Sequence, residues 1–131
     1  MNYVNTVTGP VAASELGRTL MHEHFLFGFC GFQGDATLGG FKEEEYTRDC
    51  LKAVDDARAY GINTIVDATT NECGRNVRFL KKISDMTGMN IICSTGYYFQ
   101  AESAYAYWNF RRGFANIEEE IYEMMVTELT K

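Results

Sequence analysis

Apolar and polar positions along the chain follow two periods in alternation. From residue 43 to 60 the spacing is helical: Tyr46, Cys50, Val54 and Ala57 share one stripe, and Glu44, Arg48, Lys52 and Asp55 face away. Glu43-Glu44-Glu45 suits the positive end of that helix's dipole, and Gly61 is placed to end it. Ile62-Asn63-Thr64-Ile65-Val66-Asp67 then reads as a strand rich in β-branched residues. The same grammar repeats. A helix from 75 to 87 is expected to bury Val77, Leu80 and Ile83, Gly88 stops it, and Met89-Asn90-Ile91-Ile92-Cys93-Ser94 forms the next strand. Gly61-Ile62-Asn63 and Gly88-Met89-Asn90 lie 27 residues apart, the length of one strand-plus-helix unit. A third amphipathic helix is expected from 116 to 130, with Asn116 and Glu119 as a capping arrangement and Ile117, Ile121 and Met124 as its stripe. Strands near 18 to 24, 62 to 68 and 90 to 95 joined by such helices pair in parallel through right-handed crossovers.

Upstream, residues 3 to 20 read as two short strands around Thr8-Gly9-Pro10, a hairpin leading into the run that ends at His24. The aromatic, glycine-rich stretch from Phe25 to Phe32 continues as a loop to Gly40, and either lines an apolar pocket or covers the core. It holds neither Gly-x-x-x-x-Gly-Lys nor Gly-x-Gly-x-x-Gly, so it is no phosphate cradle. After the third strand, Gly96-Tyr97-Tyr98-Phe99-Gln100 opens an aromatic segment running to Trp108 and Phe110, and Arg111-Arg112 reads as a solvated pair at a loop end, with anion binding the weaker alternative.

Composition narrows the function classes. The chain has 131 residues, one domain's worth, with 46% hydrophobic and 23% charged residues, which is an ordinary globular balance. A net charge of −6 argues against nucleic acid and anionic membranes as partners and leaves a small-molecule substrate. No apolar run approaches the ~18 residues of a membrane span. Met1-Asn2-Tyr3-Val4-Asn5 lacks the blocks of a secretory signal, so a soluble, cytoplasmic protein is expected. Cys30, Cys50, Cys73 and Cys93 form no Cys-x-x-Cys pair and read as buried free thiols, Cys73 being the one whose loop position suggests reactivity.

Both histidines of the sequence fall in Gly17-Arg18-Thr19-Leu20-Met21-His22-Glu23-His24. On a strand, His22 and His24 project from one face, about 7 Å apart, while Glu23 points the other way. One metal ion can then touch both imidazoles, although two polar residues making ordinary hydrogen bonds at a strand end fit the spacing equally well. Should the 131 residues alone hold stoichiometric metal and act on a substrate, another carboxylate would have to complete the site, Glu23 or Asp67 being the first to test.

Four motifs taken in order carry a resemblance. Thr8-Gly9-Pro10, then Leu16-Gly17-Arg18-Thr19-Leu20-Met21-His22-Glu23-His24, then Ile65-Val66-Asp67-Ala68-Thr69 with Gly74-Arg75-Asn76, and Thr95-Gly96-Tyr97-Tyr98, together resemble the phosphotriesterase-related family of the amidohydrolase superfamily. The resemblance implies an α/β fold, a partial (β/α)8 TIM barrel made of the first three strand-helix units preceded by a short β-hairpin. Residues 1–131 are then the N-terminal part of a single metal-dependent hydrolase barrel domain. It implies zinc, or another divalent transition metal, as cofactor, with two ions in the complete enzyme. His22 and His24 are then ligands of one of the two. Tyr98, just past the third strand and so near the barrel mouth, is the substrate-pocket candidate, and a rim aromatic that only packs fits its place equally well. The family's bridging carboxylated lysine, two further histidines and aspartate come from later strands and have no counterpart here; Lys131 ends a helical pattern and does not take the bridging place. The implied activity is hydrolysis of an ester, lactone, amide or phosphotriester by a metal-activated water. A non-catalytic truncated gene product keeps the same histidines without activity. A small flavodoxin-like α/β binding module is the weaker rival, because the aromatic loop speaks against it. Open sheet edges and an uncovered inner face further imply self-association.

Overall fold

Tyr3–Thr6 (β1) and Gly9–Ala12 (β2) pair antiparallel in a computed structural model that describes residues 2–28, 32–37, 39–98 and 103–130. Cys30, Phe99 and Gln100 lie outside the described residues. The hairpin is the expected one, but its turn is Val7-Thr8 and Gly9 with Pro10 already belongs to β2. Gly9 adopts φ +121°, which a side chain disfavours, and Pro10 is tolerated because a two-stranded ribbon always has a free edge. Thr6 Oγ1 closes the turn by donating to the Gly9 carbonyl at 2.7 Å.

Arg18–Glu23 (β3), Ile62–Asp67 (β4) and Asn90–Cys93 (β5) form a parallel sheet in that order. Glu43–Ala59 (α1) crosses from β3 to β4, and Val77–Thr87 (α2) from β4 to β5. Each strand stops one or two residues short of its expected end. The core fills the space between sheet and helices: Cys50 and Val54 of α1 and Phe79, Leu80 and Ile83 of α2 pack on Ile62, Ile65 and Ile91. Val77, expected inside, is 44% exposed. The helix starts two residues later than its apolar spacing suggests, since Asn76 caps it by accepting from the Phe79 N–H at 3.1 Å, and Phe79 takes the inward position.

Two further helices follow, Ser103–Arg111 (α3) and Ile117–Thr130 (α4). The first corrects the reading of an irregular aromatic segment: Ala, Tyr and Trp form a helix without an apolar stripe, which periodicity does not detect. Arg111 is likewise no solvated residue. It donates from Nε and Nη2 to the Glu120 carboxylate at 2.9 and 2.7 Å and lies over the rings of Tyr107 and Phe114, whereas Arg112 is exposed. In α4, Ile117, Ile121 and Met124 are half-buried as their spacing suggests.

The sheet's outer strands differ from one another. β3 has no neighbour beyond it among the described residues, whereas the hairpin reaches β5, with Val7 N–H donating to the Ile91 carbonyl at 2.9 Å. That contact is a single bond, so among the described residues both outer strands, β3 and β5, lack a further paired strand, as expected. Met21 on β3 is 72% exposed. Among the described residues no helix is long and apolar enough to cross a membrane.

Candidate functional site

Loops after β3, β4 and β5 gather at the C-terminal ends of the three strands, the end at which α/β sheets carry their ligands. His22 and His24 meet there. Their ring centroids are 5.3 Å apart with planes at 74°, and both side chains are exposed. Simple alternation does not account for the whole local geometry. Leu20 faces Ile65 and Glu23 faces Asp67 across the ladder, three steps against two, so the ladder bulges between Leu20 and Glu23, the interval that holds His22. Leu20, Glu23 and His24 line one open cleft of about 370 Å³ against Asp49, Cys50 and Ala53 of α1, a feature the sequence pattern did not reveal.

His24 is held from several sides. Its Nδ1 lies 2.9 Å from Thr69 Oγ1, and the Phe27 ring stands edge-on at 5.4 Å. Thr69 is positioned in turn by Asp67, which is 2% exposed. One Asp67 oxygen accepts the Thr69 N–H at 2.8 Å and the other accepts the Phe25 N–H at 3.0 Å. A single carboxylate therefore clamps the loop after β3 to the loop after β4, directly behind His24. Both Asp67 oxygens thus accept backbone N–H groups, and Glu23 shares with His24 the lining of the cleft on the α1 side. The one sequence signal for the clamp was an Asp ending a β-branched strand, which does not distinguish a ligand from a clamp.

The third loop is anchored separately. Tyr98 is 68% exposed, two strands from the histidines, and its backbone N–H donates to the carboxylate of Glu72, a buried residue in the 3-10 turn Asn71–Cys73. Arg75 donates to the Ser94 carbonyl at 2.7 Å and pairs with Glu128 of α4, which also accepts from Thr95. Tyr97 places its hydroxyl 3.2 Å from Met124 Sδ, and burial raises its pKa. Cys73, whose loop position suggested reactivity, is a buried free thiol, 2% exposed, as expected of the cysteines as a set. Burial pushes the Cys50 thiol up to about 11 and the Cys93 thiol up to about 12, assisted by Asp49 and Asp67 respectively.

Among the described residues no group of three or more His, Cys, Asp or Glu gathers around one point. Two exposed, adjacent imidazoles are nonetheless donors of the right chemistry for zinc or a similar cation, and they fit part of such a site rather than all of it.

Parallel strands joined by helical crossovers, with a histidine pair at the C-terminal end of the first, define a part of a (β/α)8 barrel whose functional groups lie at that end. The chain belongs to the Phosphotriesterase family, whose model matches residues 2–131. It is 34% identical to a phosphotriesterase-related protein of Nematostella vectensis over 95% of this chain and 42% of that one. With an aryldialkylphosphatase of Saccharolobus solfataricus it shares 32% identity over 76% of this chain and 31% of the relative. An organophosphorus hydrolase from Deinococcus radiodurans superposes with a TM-score of 0.89 at 48% identity, covering 98% of this chain and 38% of that structure. The chain thus spans well under half the length of these relatives.

Proposed function

We propose that these 131 residues form the N-terminal part of a single metal-dependent hydrolase barrel domain and that His22 and His24 supply two of its metal ligands. The supporting observation is the juxtaposition of the chain's two imidazoles, 5.3 Å apart at the end of the first parallel strand, in a member of this family. A pair of zinc or similar divalent ions, when bound, supplies Lewis acidity and a water that is nucleophilic near neutral pH. The chain's own residues do the rest. The Asp67 clamp and Thr69 fix the His24 ring, and the Glu72 anchor fixes the backbone at Tyr98, whose exposed ring serves as one wall for substrate. The substrate is a small ester, lactone, amide or phosphotriester; the Deinococcus radiodurans relative is described both as an organophosphorus hydrolase and as a lactonase, which supports the lactone and phosphotriester members of that range.

A graft tests this reading. Residues 1–131 replace the matching 38% of the Deinococcus radiodurans organophosphorus hydrolase, and the chimera is assayed on aryl esters, lactones and organophosphates. Activity is expected, and His22→Ala or His24→Ala should remove it by orders of magnitude with the fold retained. A folded, metal-loaded chimera whose turnover ignores both substitutions contradicts the proposal.

A further inference from the structure

We infer that Thr69 sets the ring tautomer of His24, holding the proton on Nδ1 and leaving Nε2 unprotonated as the nitrogen available to a metal. The inference rests on the reading of His24 as a ligand for its consequence, but not for its geometry. Among the described residues Thr69 Oγ1 has two hydrogen-bonding neighbours: His24 Nδ1 at 2.9 Å and the Leu26 carbonyl at 3.3 Å. A hydroxyl has one proton to donate, and a carbonyl oxygen can only accept. One arrangement satisfies both contacts: the hydroxyl donates to Leu26, and its oxygen accepts a proton from His24 Nδ1. In the reverse arrangement the hydroxyl donates to the ring and sets a lone pair against the Leu26 oxygen.

The hydroxyl is not free to choose another geometry. Thr69 is 1% exposed, its N–H is held by Asp67 at 2.8 Å, and its carbonyl accepts from Ser94 Oγ at 3.1 Å. The residue is pinned before and after its side chain, and the Leu26 carbonyl sits in the loop that Asp67 holds through Phe25. Ligating histidines generally donate their second ring nitrogen to a fixed acceptor, which orients the ring and raises its basicity. Here that acceptor is a threonine hydroxyl polarised by its own bond to a carbonyl. Among the described residues no hydrogen bond reaches the His22 ring, so the sequence's second histidine serves as an internal reference.

The test uses the full, metal-free 131-residue chain with 15N-labelled histidine, at pH 8, above the ordinary imidazole pKa of ~6.5. Long-range 1H–15N correlation distinguishes the tautomers, and His22→Ala assigns the two rings. His24 should show the Nδ1–H pattern, His22 the Nε2–H pattern that unconstrained histidine favours. Thr69→Val should swing His24 to Nε2–H and weaken zinc binding about tenfold or more, and Thr69→Ser should restore both. A parent His24 protonated on Nε2 overturns the inference, and that spectrum decides even where Thr69→Val fails to fold. Zinc that perturbs neither ring, with His24 still protonated on Nδ1, overturns instead the reading of His24 as a ligand.

Discussion

Asp67→Ala should cost the protein far more stability than an exposed carboxylate would, because it releases two loops at once. The carboxylate accepts two backbone N–H bonds, from Thr69 at 2.8 Å and Phe25 at 3.0 Å, at a position 2% exposed. A hydrogen bond to a charged group contributes about 1.5–3 kcal/mol net, and an orphaned buried N–H adds its own penalty. Removing the side chain also removes the expense of burying a charge, so the net loss for Asp67→Ala is placed at about 3 kcal/mol. Asp67→Asn keeps one acceptor oxygen but turns an NH2 toward the other N–H, for a loss of about 2 kcal/mol. Against the ~5–15 kcal/mol total of a typical domain, either change is large. Urea unfolding followed by far-UV circular dichroism, at fixed protein concentration, gives the magnitudes, and amide exchange at Phe25 and Thr69 gives the location. An Asp67→Ala variant within about 0.5 kcal/mol of the parent, or unchanged exchange at both amides, refutes the clamp.

Three other outcomes follow from the same structure. The open edge of β3 and the 72% exposed Met21 should make the isolated chain associate with itself, so sedimentation should show mass rising with concentration and Met21→Lys should reduce it; a monomer at every concentration contradicts this. Because the Cys50 and Cys93 thiols are raised from 9.0 to about 11 and about 12, their contribution to stability is complete below pH 9 and is lost as pH rises through those values; stability should decline over that range, and neither thiol should alkylate in the native protein at pH 8. Glu120 is shifted the opposite way, its carboxyl held below the usual range by hydrogen bonds from Arg111. The contact between α3 and α4 should therefore persist at neutral pH and loosen as pH falls through that depressed value, with Trp108 fluorescence as the reporter and Glu120→Gln abolishing the transition.

Much of the architecture was legible because it rests on period and punctuation. The α1 stripe, Gly61, Gly88 and the β-branched strands each specify one local choice, and those choices agree with a parallel sheet. The misses have separate physical causes. α3 is aromatic around its circumference and so lacks the contrast that periodicity needs. Val77 lies inside its helix's apolar spacing but at its first turn, where capping by Asn76 rather than packing fixes the chain. The histidine pair was visible as His-x-His, but the bulge at His22 depends on how β3 registers against β4, which no local pattern encodes. Asp67, Thr69 and Glu72 were equally hidden. Their roles come from backbone groups 25 or more residues away in the chain or from a turn that only tertiary contacts fix.

Zinc binding by the 131-residue chain tests the central claim most directly, since it asks whether His22 and His24 act together on one ion. Calorimetric titration should find weak binding, because two imidazoles fall short of the three protein ligands that catalytic zinc sites commonly use. His22→Ala and His24→Ala should each abolish it, and the isolated chain should hydrolyse aryl esters or organophosphates no faster than free zinc. Tight, stoichiometric zinc that survives both substitutions would place the metal elsewhere and contradict the account.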